Sequence, residues 1–482
     1  MITPLRTKRA LAASVVLFAV SSPHWLAPDA AAQAASPEDA WTQAVAASQA
    51  SLPPGDDAWP SIAGAAAEYQ RVLRQVRLDA GDGSASPLVI DARLFILAAG
   101  DEASSRLQSL AVRSVEALDA SAVPALLEKA ASAPRCVQPF GNNWVAELLS
   151  STATKSDADD PSLLGQYLAC RFVASVRASD AGAAADRLRV ALRFCHHLSQ
   201  GPLHRRFAAA RTLDALALGI REEVMAHRIS GTVAAGLLRV IDAHAPSWDP
   251  ALTIELERVS LSAMLRDIAD QRPGIGERVF ARALGACGLD ERPDVAERVP
   301  ALIALERAAP TAEVLIRCLE SAARSDARSR AAARAFLDPV AVADLLDCET
   351  HALARHLAHT WGFADTLLTQ TDAARSRFEA ARIMLACEAF EARTGSAPAW
   401  VADLVPTELN AAPVDPVNGL GFVVRRIPDP AADLYRRRYL IIGLGIDGRD
   451  DAGKTPESAP DRVLEAAGAA GFDRVYNEPE RP

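Results

Sequence analysis

The chain is poor in several things, and each shortage narrows what it can be. Aromatic residues make up only 5% of its 482 positions while alanine is abundant, a mixture that favours packed helices over sheets. Positive charge is not in surplus. The formal net charge is −10, which argues against nucleic acid as a partner, because a phosphate backbone asks for a basic face. No cysteine occurs before Cys136, so a lipid anchor on a processed N-terminal cysteine is excluded, and no CxxC pair occurs. No GxSxG, HExxH or recognisable Ser/His/Asp order marks a nucleophile or a general base.

What is present begins with an address. Arg6, Lys8 and Arg9 precede the apolar run Ala10–Val20, small residues follow, and Ala32-Gln33-Ala34 offers an A-x-A cleavage site. That run is short for a membrane span, so residues 1–34 read as a signal peptide cut before Ala35, and the protein as exported to the periplasm or cell envelope. An uncleaved anchor reaching Ala27 is the alternative, and the one route by which the chain would touch a membrane. Seven cysteines in an exported chain would suggest a disulfide framework. Cys170, Cys195, Cys318 and Cys387, however, sit in helical patterns beside apolar residues, as small buried hydrophobes do.

The fold expected is mainly α, an antiparallel helical bundle or short α-solenoid followed by a small α+β domain with one helix on an antiparallel sheet. Residues 35–160 read as a helical N-terminal region, with helices over Ile62–Val76 and Ser105–Leu118 and a further one capped by Ser121. Residues 161–370 form the bundle or solenoid. Its stripes include Leu164, Leu168 and Phe172, then Leu188, Leu192, Cys195 and Leu198, and helices are expected over Leu203–His227, Val233–Ala243 and Leu252–Ile268. Residues 371–482 make the terminal domain. Thr371 is expected to cap a helix over Asp372–Arg393 that Gly395 ends, with strands over Phe422–Ile427, Tyr439–Leu444 and Phe472–Tyr476.

The segment Tyr435–Asp451 carries the most chemistry. Its glycines satisfy two phosphate-binding patterns at once, Gly443-x-Gly445-x-x-Gly448 and Gly448-x4-Gly453-Lys454-Thr455. Both need amides and a helix N-terminus aimed at an anion. Asp450 and Asp451 would repel that anion, and Pro456 and Pro460 disfavour the helix. The opposite charge logic fits better. Asp447, Asp450 and Asp451 on a glycine-bent chain suit an oxygen cage for a hard cation such as Ca²⁺. A solvated turn that uses Asp and Gly for positive φ is the plainer alternative.

The order of pieces around that segment resembles a known family. A long helix, TGSAPAWVADLVP, AAPVDPVNGLGFVVRR and YLIIGLGIDGRDD follow one another, similar to the globular part of the major pseudopilin of type II secretion. There a helix leads to a "YP…L" turn, a "P-x-DPWGNPY"-like loop and a "LGADG" calcium loop. Pro413–Gly419 stands for the second piece and Leu444–Gly448 for the third, and the likeness covers roughly residues 372–476. It implies calcium held by Asp447, Asp450 and Asp451 with the Leu444 backbone carbonyl, and Asp473 as a further carboxylate. Residues 372–394 carry neither a prepilin-type peptidase site nor a long apolar N-terminal helix, so the likeness implies a borrowed module rather than a filament subunit. The whole chain also resembles exported proteins of planctomycete-type bacteria that pair an Ala/Leu-rich helical region with this module.

Three other clusters compete for attention. Cys348, His351, His356 and His359 share one helical pattern, and His196-His197 lies near His204. Neither set carries the further ligands a transition metal needs, and satisfied interhelix histidines are the ordinary reading. Arg436-Arg437-Arg438 could hold an acidic partner, or simply guard a solvated strand edge. The function that follows is a non-catalytic interaction or scaffold role in the cell envelope, with a protein partner and a calcium-stabilised terminal module. The alternatives are a nucleotide-binding enzyme using Gly448–Thr455 and an assembly component that meets secretion-type filaments.

Overall fold

The structure, a computed structural model, describes residues 53, 55–80, 90–97, 102–137, 161–201, 203–246, 248, 351–445, 448–449 and 474–478. The expected signal peptide, the helix over Leu252–Ile268, Cys348 and the residues Asp447, Asp450, Asp451, Lys454 and Asp473 lie outside them.

Among the described residues the protein is mainly helical, with nine α-helices and one small antiparallel sheet. The first is α1, Trp59–Asp79. Pro60 sits in its first turn, where the missing N–H has no partner to lose. Ile62, Ala65, Ala66, Tyr69 and Leu73, spaced by three and four, are buried on one side. The short α2, Ala92–Ile96, starts on Asp91, whose carboxylate accepts from the Arg93 amide at 2.9 Å. Next come α3, Glu102–Asp119, and α4, Val123–Ser132. The expected cap is displaced by one position: Ala122 is the α4 N-cap, and Ser121 before it accepts from the Val123 amide at 3.2 Å.

The helical body continues with α5, Ser162–Arg177, α6, Ala181–Ser199, α7, Leu203–Met225, and α8, Gly231–His244. Short links join consecutive members, α6 packs against both α5 and α7, and α8 packs back against α6. Asp180 and Ser230 cap α6 and α8 by accepting from the Ala183 and Val233 amides. All seven predicted stripe residues of α5 and α6 are essentially inaccessible, which places both helices at the centre of the core. The α5–α7 crossing is close because it is built on glycine. A Cβ on Gly165 would overlap the Thr212 hydroxyl, and one on Gly219 would meet Val173 Cγ2 at 2.6 Å.

Arginines finish helix ends that the sequence leaves uncapped. Arg177 donates to the Phe95 and Ile96 carbonyls at 3.1 and 2.6 Å, closing α2. Its Nε reaches Glu223, whose carboxylate is fully enclosed and also pairs with Arg228. At the C-terminus of α4, Arg193 donates to the Ala131 and Ala133 carbonyls, and His197 donates from Nε2 to Ala130 at 3.1 Å.

The ninth helix, α9, His351–Thr394, is 44 residues long and corrects one expectation. Thr371 does not cap a helix; it lies inside α9 with its hydroxyl buried and without a hydrogen-bond partner. The residues before it are already helical, so there is no free first turn for it to serve. Residues 370 and 371 both lie in this helix. One part of α9 packs on α7 and α8, where Arg377 pairs with Asp214 and Arg382 with Asp242. Another part carries the sheet. Gly395 ends α9 as expected, at φ +78° with its amide on the Glu391 carbonyl.

After a 3₁₀ turn at Val401–Leu404, the sheet is built from β1, Val423–Arg426, β2, Tyr439–Gly443, and β3, Arg474–Val475, in the order β1-β2-β3. Val424 faces Ile441 and Ile442 faces Val475 across the antiparallel ladders. Where β3 stops, the Asn477 side chain continues the pairing. It accepts from the Ile441 amide at 3.0 Å and donates to the Tyr439 carbonyl at 2.6 Å. Among the described residues no helix is long and apolar enough to cross a membrane.

Candidate functional site

The site begins where β2 ends. Gly443 leads through Leu444 to Gly445 and Gly448, whose φ angles of +59° and +69° only glycine adopts freely. The Gly448 amide donates to the Leu444 carbonyl at 3.1 Å, closing the turn. A carbonyl oxygen has two lone pairs, so Leu444 keeps one for a second partner. The same bond weakens the phosphate reading. Gly448 is common to both glycine patterns, and its amide is already spent inside the turn. Asp447, between these glycines in sequence, and Asp450 and Asp451 beyond them, lie outside the described residues.

The Pro413–Gly421 segment is the partner of this turn. It is tightly built. The Asp415 carboxylate accepts from the Val417 amide at 2.8 Å, the Asp415 carbonyl accepts from Gly419 at 2.8 Å, and Val414 and Gly421 form an isolated antiparallel bridge. Gly419 sits at φ +72°. Asn418, 4% exposed, uses both ends of its amide. Its oxygen accepts from the Leu420 amide at 2.8 Å, and its nitrogen donates to the Gly445 carbonyl at 2.9 Å. That last bond docks the DPVNG loop on the glycine turn.

Below the turn is a buried polar junction that sequence reading missed. Asp415 is 1% exposed. Ser376 on α9 and Tyr476 share a buried hydrogen bond between their hydroxyls. A Cβ on Gly443 would lie 2.8 Å from the Tyr476 ring and 2.9 Å from Asp415 Oδ2, so glycine is what allows the closure. Burial pushes the Asp415 carboxyl up against the pull of Ser376, the Val417 amide and Arg474. Arg474 lies over the Tyr476 ring at 5.0 Å, and burial lowers its guanidinium to about 10. The DP…NG spelling was visible in the sequence; the closure of Asp415 and Tyr476 over Gly443 had no local signal.

The arginine cluster is used internally, which corrects both readings offered for it. Arg438 pairs with both Glu388 oxygens at 2.6 and 2.8 Å and with Glu391 at 2.8 Å, joining the start of β2 to α9. The Tyr439 hydroxyl donates to the same Glu388 at 3.0 Å. Arg437 grips Asp433 and reaches Glu478 at 3.6 Å. Bidentate grip holds the Asp433 carboxyl at about 2. Arg436 alone of the three is exposed.

The histidine expectation at His196-His197 holds in its ordinary form. His197 is buried on the Ala130 carbonyl, and burial, Arg193 and His196 together lower its pKa to about 4. Cys170, Cys195 and Cys387 are buried free thiols. Among the described residues no three His, Cys, Asp or Glu side chains converge as a metal site would require. No protein-family model matches the chain, and no curated protein or solved structure is significantly similar to it.

Proposed function

We propose that this protein is a non-catalytic scaffold of the cell envelope whose C-terminal module is held closed by Ca²⁺ at the turn after β2. The observation that supports this reading most is the Asn418 bond to the Gly445 carbonyl. It pins the glycine turn to a rigid loop, while the Gly448 amide leaves Leu444 a lone pair for a cation. Asp447 falls within that turn by sequence, with Asp450 and Asp451 close behind, so three carboxylates share a short bent stretch. Oxygen donors of that kind suit Ca²⁺ better than a softer metal. The helical body, with its helix ends closed by Arg177 and Arg193, is a surface for a protein partner rather than a container for chemistry. Its location in the envelope rests on the basic, apolar and A-x-A pattern of residues 1–34.

Equilibrium calcium titration of the full chain tests the proposal. Saturable binding with a Kd of about 0.1–1 mM, the range of extracellular calcium modules, and its loss in Asp447→Ala are expected. Absence of binding at millimolar calcium would overturn it.

A further inference from the structure

Asn418 and Gly419 make the one Asn-Gly pair in the chain. Asparagine is chemically labile, most of all before glycine, where no Cβ shields the next backbone nitrogen. That nitrogen attacks the asparagine Cγ, the Cγ–Nδ2 bond breaks, and ammonia leaves with the amide proton. Water then opens the cyclic imide. Asparagine and water thus become ammonia and an aspartate, or the isomer whose main chain runs through the side chain.

The fold holds each participant in that reaction. The attacking nitrogen of Gly419 is committed to the Asp415 carbonyl at 2.8 Å. The Asn418 oxygen accepts from the Leu420 amide at 2.8 Å, and Nδ2, the leaving group, donates to the Gly445 carbonyl at 2.9 Å. Asn418 is 4% exposed, so the water that would open the imide is kept out. The Asp415 carboxylate on the Val417 amide holds the loop in this shape. Release of the loop from the glycine turn frees the leaving nitrogen and admits water in one event.

We infer that Asn418 is a deamidation site gated by the docking of the Pro413–Gly421 loop on the glycine turn, and that the reaction makes undocking irreversible. An aspartate at position 418 keeps an oxygen for the Leu420 amide but offers the Gly445 carbonyl no hydrogen. Two oxygens would then face each other where a hydrogen bond now spans the gap. The isomer lengthens the main chain by one carbon and spoils the turn as well. The loop thus records the time it has spent released with β2 still paired. This gate needs only the Asn418 bond to Gly445 and stands apart from the cation reading of the turn.

The test follows conversion of the Asn418 peptide to its aspartyl and isoaspartyl forms by mass spectrometry, in the full chain, folded and in urea. Folded wild type should react more slowly than the urea-unfolded chain by roughly tenfold or more, since a reaction of an opened state tracks its population. Asp415→Ala removes the Val417 bond and neither reacting group. It should raise the folded rate by roughly two- to tenfold, the effect of one lost buried hydrogen bond, and leave the urea rate unchanged. Gly219→Ala crowds Val173 at the distant α5–α7 crossing and controls for general destabilisation. It should raise the folded rate less than Asp415→Ala does. Equal folded and urea rates in the wild type would overturn the gate, and so would a silent Asp415→Ala or a Gly219→Ala that accelerates as much. Asn418→Asp makes the product in advance, and its Val417 and Gly419 amides should exchange hydrogen faster than in the wild type. Exchange at the wild-type rate would overturn the irreversible step.

Discussion

At Gly443 the missing side chain lets Tyr476 and the Asp415 carboxyl close over the end of β2. Neither neighbour is the free end of a flexible chain, because Tyr476 is bonded to Ser376 and the Asp415 carboxylate to the Val417 amide. Gly443→Ala should therefore cost about 1–3 kcal/mol, measured as a lower urea midpoint. His197 makes a different prediction, in pH. Its folded pKa is depressed, so the unfolded chain binds the proton first and stability falls as the solution is acidified. The loss should begin near the ordinary histidine value of about 6.5 and continue to about 4. It should reach on the order of 3 kcal/mol. Asp415 acts in the opposite sense, since its raised carboxyl favours the folded state in acid and that gain is lost as pH rises through the raised value. Comparing urea midpoints of wild type and His197→Gln at each pH isolates the histidine, and a flat difference would refute its role.

At the scale of elements, the sequence was most legible where a stripe faces one core. Phe378, Ala381, Leu385 and Ala389 of α9 and Tyr439, Ile441 and Ile442 of β2 lie buried as their apolar pattern predicts, because burial of apolar surface acts locally along the chain. Ends and attachments were less legible. Thr371 looks like a cap because its hydroxyl could serve one, and nothing nearby in sequence reveals that the preceding residues are helical too. Arg438 looks like part of a solvated cluster because Glu388, its partner, is 50 positions away. That partnership carries a prediction. Glu388→Ala takes the two-oxygen partner from Arg438 and the nearer acceptor from the Tyr439 hydroxyl and should cost about 2 kcal/mol. Glu391→Ala, which removes a more exposed partner, should cost less than about 1 kcal/mol. Equal losses would mean that Glu388 is not the anchor of β2 on α9.

For the molecule as a whole, α9 decides how the parts behave together. A single apolar cluster runs from Ala58 in the body to Tyr476 beyond β3, and α9 contributes to it along the way. Body and sheet should therefore open as one unit. Hydrogen exchange of β2 amides and of α7 amides should report the same opening free energy, and β2 opening well below α7 would show a separable module. The candidate cation site was legible as a spelling, glycines and aspartates after a strand, but its support was not. Asn418 and Asp415 reach it from a loop that lies before β1, and only the folded chain brings them there. A crystal structure of the full chain grown in calcium tests the central claim most directly. A calcium ion should appear about 2.3–2.6 Å from oxygens of Asp447, Asp450 and Asp451 and from the Leu444 carbonyl. Carboxylates turned apart into solvent, or amides gathered beneath Lys454 around an anion, would contradict it.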